Sequence, residues 1–160
     1  MALTNIQKSK IAKTITDNFL GLLKSKMTTI TLPDPITHFP VEQEIQRYSS
    51  NYSDIMLKEK SNYPVLIVSK PKLPQNKLTF RNTLVNGMIS IEVHCTNSIA
   101  TAKFYDMVNM VIDENREMLN TAGIKSLELD NDDDDTFERG GFKDHWAATT
   151  WAFEYEFTDG

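Results

Sequence analysis

The sequence contains a single cysteine, Cys95, so no disulfide can form within the chain. A lone thiol is compatible with a reducing compartment. Cys95 continues an alternation of apolar residues and so falls on the buried face of a predicted strand. We therefore interpret it as a packed thiol rather than a nucleophile.

Long apolar segments and an excess of basic residues are also absent. No stretch approaches the roughly 18 apolar residues of a membrane span, and Lys8, Lys10 and Lys13 interrupt the region where a signal peptide would be apolar. The net charge of −5 argues against a general nucleic-acid binder, which needs a basic surface to release counterions from phosphate. We expect synthesis in the cytoplasm without export and no membrane contact.

The motifs of common enzymes are missing as well. The sequence has no glycine-rich phosphate loop, no nucleophile elbow and no cysteine and histidine spacing of a metal site. The dipeptide Gly140-Gly141 is interpreted as a hinge or tight turn rather than a phosphate cradle. We expect no cofactor, no metal ligands and no catalytic residues, and we predict that the chain is not an enzyme.

The clearest pattern is a hairpin, strand and helix in the middle of the chain. Asn86-Gly87 predicts a tight hairpin turn, and strict alternation from Ile89 to Cys95 predicts a strand with one buried face. The period then changes to that of an amphipathic helix from Ser98 to Ala122. Gly123 follows at the position where a left-handed residue ends a helix.

The N-terminal segment predicts a first helix from Thr4 to Ser25. Thr4 and Gln7 have the spacing of a capping box, and an apolar stripe follows them. Leu20 lies off that stripe, which makes it a candidate for contact with the rest of the domain or with a partner chain.

Residues 28–63 lose this periodicity and are predicted to form an irregular arm within a single domain, 1–160. Thr28–Leu32 is compatible with a strand, and Val41–Tyr48 with a short helix. Tyr48 and Tyr52 carry large aromatic side chains in an otherwise polar segment and are candidate interaction residues. The alternative is that the arm is a surface segment that contacts no partner.

Three further segments complete the predicted sheet. Pro64–Ser69 is a short apolar segment typical of a strand buried on both faces. Ser126–Asp130 and Thr150–Phe157 alternate, and the second places large aromatic residues on one face. The order of elements predicts an α+β fold: a mixed, mostly antiparallel β-sheet with two main helices packed on one face.

The acidic segment after Leu129 is the only local cluster that suggests chemistry. Asp130, Asp132 and Asp134 match the first ligand positions of a calcium loop. The loop fails at its two restrictive positions, because Asp135 stands where the glycine is needed and Gly141 where the bidentate glutamate is needed. We interpret the segment as a solvated acidic loop between two strands.

A second function class uses the same residues. A metal-dependent hydrolase would gather the aspartates with His145 around two metal ions. Adjacent aspartates on a loop do not make a preorganised metal site, since such ligands usually come from separate rigid elements.

Four segments and the aromatic strand that follows them have a characteristic order along the chain. The segments are YPVLIVS, GMISIEVHCTN, FYDMVNMVIDENREMLNTAGI and LELDNDDDD. In this order they are similar to the tail terminator proteins, also called tail completion or minor neck proteins, of long-tailed bacteriophages. The resemblance covers about the last two thirds of the chain and is one of pattern rather than of a fixed motif.

The resemblance implies a structural virion protein of the tail or neck. It implies a homohexameric ring that caps the tail tube, binds the tail-tube protein and presents a surface to the head connector. DNA would pass through the lumen of that ring without specific binding. The expected interaction residues are Asp132, Asp133, Asp134, Asp135, Tyr48, Tyr52 and Leu20. Another head-to-tail connector or assembly adaptor is the alternative within the same class.

Overall fold

The computed structural model describes residues 4–27, 29–33, 40–50, 57–73 and 84–156. The helices are α1 (Asn5–Lys26), α2 (Ser98–Glu114) and α3 (Arg116–Thr121), with one 3₁₀ turn at Lys60–Asn62. The strands are β1 (Thr29–Pro33), β2 (Pro40–Glu44), β3 (Arg47–Ser49), β4 (Val65–Val68), β5 (Leu84–Cys95), β6 (Ile124–Glu138) and β7 (Lys143–Glu156).

The main sheet has five strands in the order β3-β4-β5-β7-β6. Only β3 and β4 run parallel, and the other neighbours are antiparallel. Strands β1 and β2 form a separate antiparallel pair. The predicted α+β class with a mixed, mostly antiparallel sheet is therefore confirmed.

One apolar core joins α1 and α2 to the same face of the sheet. Phe19 of α1 and Phe104 of α2 are fully buried in it, against residues of the central strands such as Ile89 and Trp151. Strand β4 is buried at every position, and its second face contacts a smaller cluster that contains Leu57 and Tyr63. The prediction of a strand buried on both faces is confirmed.

Helix α1 begins as the sequence predicts. The Thr4 hydroxyl accepts a hydrogen bond from the Gln7 amide at 3.1 Å, and the Thr4 amide donates to the Gln7 side chain at 2.9 Å. Two amides that would lack partners at a helix N-terminus are satisfied by this pair. The first buried side chain of the helix is Ile11, so its first turns extend beyond the core.

The predicted turn at Asn86-Gly87 is wrong, because both residues lie inside β5 and pair with β7. A Cβ at Gly87 would come within 2.8 Å of the Phe153 ring and 2.9 Å of the Leu73 side chain. The glycine therefore permits close packing within a strand rather than a change of chain direction.

Gly140-Gly141 forms a tight turn, which is one of the two predictions made for that dipeptide. Both glycines have positive φ, 56° and 105°, and the Arg139 amide donates to the Phe142 carbonyl at 2.8 Å. Two consecutive positive φ angles are the signature of a type I′ hairpin turn. This turn joins β6 and β7 into the longest hairpin of the described structure.

The predicted acidic loop is therefore wrong. Asp130–Asp135 belong to β6, which continues to Glu138 and pairs with β7. Two register shifts, between Lys125 and Glu128 and between Leu129 and Asn131, interrupt the pairing. Such bulges increase the local twist of a strand.

The predicted single helix from Ser98 to Ala122 is also wrong, because it ends at Glu114 and a short helix follows from Arg116. The Asn115 side chain donates to the Val111 carbonyl at 2.7 Å. Side chains of this kind compete with the backbone for helix hydrogen bonds.

The predicted short helix at Val41–Tyr48 is replaced by strands. Pro40–Glu44 pairs with β1, and Arg47–Ser49 forms the edge strand β3. The predicted strand at Thr28–Leu32 is confirmed as β1, one residue later.

Candidate functional site

The four consecutive aspartates lie on β6, the edge strand of the main sheet. All four are exposed. Asp132 lies opposite Thr149 and Asp134 opposite Ala147, two β7 residues that are buried on the helix side of the sheet. Because residues directly opposite share a face, Asp132 and Asp134 point to the helix side.

Asp133 and Asp135 point to the other side of the sheet by the same argument. They lie opposite Ala148 and Trp146. Phe137 follows in phase with them, and its ring stacks on Trp146 at 6.2 Å with an interplanar angle of 14°. The strand thus divides the acidic segment into two pairs that face different surroundings.

A groove of about 510 Å³ lies between β6 and the N-terminal half of α2. Its walls carry Ala102, Tyr105 and Asp106 from the helix and the aspartates from the strand. The Tyr105 hydroxyl donates to Asp132 at 3.3 Å, which bridges helix and strand. The groove is therefore both open and strongly negative.

His145 also reaches this groove, as the hydrolase hypothesis requires. Its Nδ1 lies 3.1 Å from the Thr136 hydroxyl. Among the residues that the structure describes, no group of three or more His, Cys, Asp or Glu side chains is placed to hold a metal ion. The geometry brings the hydrolase residues near one another but does not arrange them as ligands.

The other candidate interaction residues lie elsewhere. Tyr48 is on β3, the opposite edge of the sheet, where its hydroxyl donates to the Met27 carbonyl and the Lys24 ammonium lies 5.7 Å from its ring. Burial raises the pKa of Tyr48. Leu20 packs against the core. Tyr52 lies outside the described residues.

A buried charged cluster on the second face of the sheet has no counterpart in the sequence predictions. His94 and Asp144 are both fully buried. The His94 Nδ1 lies 2.8 Å and 3.0 Å from the two Asp144 oxygens, and its Nε2 lies 2.5 Å from Glu92 Oε1. The Arg139 Nε donates to Asp144 at 3.1 Å.

The contacts of His94 indicate a doubly protonated ring. Ionised carboxylates only accept hydrogen bonds, so each ring nitrogen must donate to its carboxylate partner. Burial alone would lower the pKa of His94, but the hydrogen bonds and charges of Asp144 and Glu92 outweigh it and raise the pKa. Two positive and two negative side chains then balance within the cluster.

This cluster joins the tip of the β6–β7 hairpin to the end of β5. Arg139 belongs to the turn, Asp144 to the start of β7 and His94 to β5. The Tyr63 ring covers the cluster, since it meets the His94 ring edge-on at 6.4 Å and the Phe142 ring at 5.2 Å. The hairpin that carries the aspartates is therefore held in place at its tip as well as at its base.

We expect stability to fall as the pH rises above neutrality in a way that depends on His94. A raised folded-state pKa contributes stability that is complete below the unfolded-state pKa, about 6.5. That contribution is lost as the pH rises through the folded-state value. Urea unfolding across this range should show the decline, and His94→Gln should remove its pH-dependent part. An identical slope in both proteins would contradict the assignment.

Cys95 lies beside this cluster on the core side of β5. It is 2% exposed, and burial raises the pKa of its thiol to about 12. A thiol with that pKa stays protonated at neutral pH and is a poor nucleophile. This placement agrees with the interpretation of Cys95 as a packed residue.

Comparison of the chain with protein-family models and with curated proteins found no match in either case. Within the described ranges, no helix combines the length and the apolar character that a membrane span requires.

Proposed function

We propose that the chain is a structural assembly protein of a long-tailed phage, a tail terminator whose copies form a hexameric ring on the tail tube. The ring would contact the tail-tube protein on one side and the head connector on the other. The α+β fold agrees with the one that the resemblance implies. The observation that carries the proposal is the rigidly held β6–β7 hairpin with its exposed acidic edge.

The charge of that hairpin suits a channel for double-stranded DNA. Phosphates bind proteins largely through the release of counterions by lysine and arginine. Asp132 to Asp135 add four negative charges on a single exposed strand, so a lumen lined by them would repel DNA rather than hold it. The proposed location of these residues is the lumen or the surface that faces the tube end.

Negative-stain microscopy of the protein mixed with purified tail tubes tests the proposal. We expect rings at tube ends, seen end-on with sixfold symmetry. Tubes whose ends stay bare at every protein concentration would overturn the proposal. A monomer in solution would not, because binding to the tube shifts the equilibrium towards assembly.

Replacement of Asp132, Asp133, Asp134 and Asp135 by Asn tests the acidic strand. We expect the affinity of the ring for the tube end to fall by at least about tenfold, which corresponds to ~1.4 kcal/mol of interaction free energy, and the infectious titre of phage with this variant to fall with it. The matched control is neutralisation of four exposed acidic residues away from β6: Glu59, Asp113, Glu114 and Glu117. Equal titres for wild type, variant and control would exclude a specific role for the strand.

Calorimetric titration with magnesium, manganese and calcium separates this function from the hydrolase. A structural terminator should give no stoichiometric heat, whereas a metal-dependent enzyme should bind a defined number of ions.

A further inference from the structure

The groove beside α2 is an unfilled surface of one charge sign. Asp106, Asp132 and Asp134 line it, and none of its described lining residues is a lysine or arginine. Ala102 and the Tyr105 ring provide an apolar patch between these carboxylates. We call this surface the acidic groove. Its form and charge suit an elongated basic element with a small apolar contact.

The described chain presents such an element at the start of α1. Ile6, Lys10 and Lys13 are spaced four and three residues apart, so they share one side of the helix. Ile6 is 70% exposed and the Lys13 side chain is 79% exposed, although Lys13 pairs with Asp17 at 2.9 Å. We call these three residues the basic face of α1. It points away from the core, which begins at Ile11.

The two surfaces are formed by different elements of the subunit. Helix α1 packs on α2, β3 and β4, whereas the acidic groove lies between α2 and β6, at the other edge of the sheet. A contact between them in two copies would therefore use a different patch on each copy. Repetition of such a heterologous contact produces a closed ring or a filament rather than a two-fold dimer.

We propose that the basic face of α1 in one copy docks into the acidic groove of the next copy. This inference rests on the proposed ring and assigns its subunit interface. Lys10 and Lys13 pair with Asp132 and Asp134, and Ile6 packs on Ala102 and Tyr105. Asp133 and Asp135 point to the other face of β6 and keep the proposed position at the lumen or the tube end. The charges steer the encounter and fix the direction of the contact, and burial of the apolar patch adds affinity.

Zero-length carbodiimide cross-linking tests this contact directly, because it joins an amine to a carboxylate only when they touch. Two isotopically distinct preparations of the full chain are mixed, cross-linked with and without purified tail tubes, and digested. Mass spectrometry then separates links between copies from links within one copy. We expect links between copies from Lys10 or Lys13 to Asp132 or Asp134. Their absence at every protein concentration would overturn the proposal.

Charge reversal gives a second test by sedimentation velocity. We expect Lys10→Glu with Lys13→Glu, and separately Asp132→Lys with Asp134→Lys, to raise the protein concentration needed for assembly by at least about tenfold. When the two variants are mixed, an alternating ring places each α1 in a groove of opposite charge, so assembly should recover. A chain that carries all four changes has opposite charges on its own two surfaces and should also assemble. Failure of both rescues would contradict the pairing.

The chain offers a matched control for each variant. Glu114→Lys with Glu117→Lys reverses the same number of acidic charges at exposed positions of α2 and α3 that do not line the groove. Lys58→Glu with Lys60→Glu reverses two exposed lysines away from α1. Both controls should assemble as wild type does. Equal losses in variants and controls would mean that net charge governs assembly, and the proposed interface would be rejected.

The outcomes separate this inference from the proposed function. Rings on tube ends without the expected cross-links would place the subunit interface elsewhere and leave the terminator function standing. The expected cross-links with bare tube ends would establish the interface and reject the terminator function.

Discussion

Replacement of Asp144 by Asn is expected to lower the free energy of unfolding by about 3–5 kcal/mol, the usual effect of breaking a buried charged pair. The Asp144 carboxylate accepts from His94 at 2.8 Å and from Arg139 at 3.1 Å while fully buried. An amide leaves the protonated His94 ring without its counter-charge and places an NH₂ group against one of the two donors. A typical domain has only about 5–15 kcal/mol of stability in total.

Urea denaturation monitored by tryptophan fluorescence measures this loss. Asp113→Asn is the matched control, because the Asp113 side chain is 64% exposed and its ion pair with Arg116 lies on the surface of α2. Exposed pairs of this kind contribute about 0–1 kcal/mol. If the midpoint shifts of the two variants are equal, the cluster does not stabilise the fold as its geometry implies.

This buried cluster is the part of the site that could not be predicted from the sequence. His94 and Asp144 lie 50 residues apart in sequence, and neither stands in a recognisable motif. His94 and Asp144 share a face of the sheet because β7 begins at Lys143 and its His145 pairs with Cys95 of β5. A strand prediction that begins at Thr150 omits Asp144, so the buried partner of His94 could not be predicted.

Elements with strong local signals were predicted correctly. The capping box of α1, the apolar segment of β4 and the alternation of Ile89 to Cys95 each identify an element without knowledge of its neighbours. The buried face of β5 was also predicted, because period-2 alternation survives any tertiary arrangement that keeps the strand.

The errors occur where tertiary pairing overrides local propensity. Aspartate is depleted in strands, yet Asp132–Asp135 pair with β7 along their whole length. Two features account for this: Gly140-Gly141 supplies the tight turn between β6 and β7, and β7 provides a well-packed partner with Trp151 and Phe153 buried. The acidic edge also protects β6 against pairing with other chains, a common use of charge on edge strands.

Replacement of Phe104 by Ala is expected to lower the free energy of unfolding by about 3–5 kcal/mol and to deform the acidic groove. Phe104 is fully buried beneath α2, next in sequence to the Tyr105 that bridges to Asp132. Loss of the ring leaves a cavity under the helix that surrounding residues fill only in part.

Lys103→Ala is the control for this prediction, since Lys103 is exposed on the same helix and should change stability by less than about 0.5 kcal/mol. Comparing the assembly of Phe104→Ala with that of Lys103→Ala tests whether the groove depends on the position of α2. If α2 supports the groove, Phe104→Ala should weaken assembly under conditions where the variant is still folded, while Lys103→Ala leaves it intact. Folded Phe104→Ala protein that assembles as wild type does would show that the groove does not depend on the position of the helix. The interface would then have to depend on β6 alone.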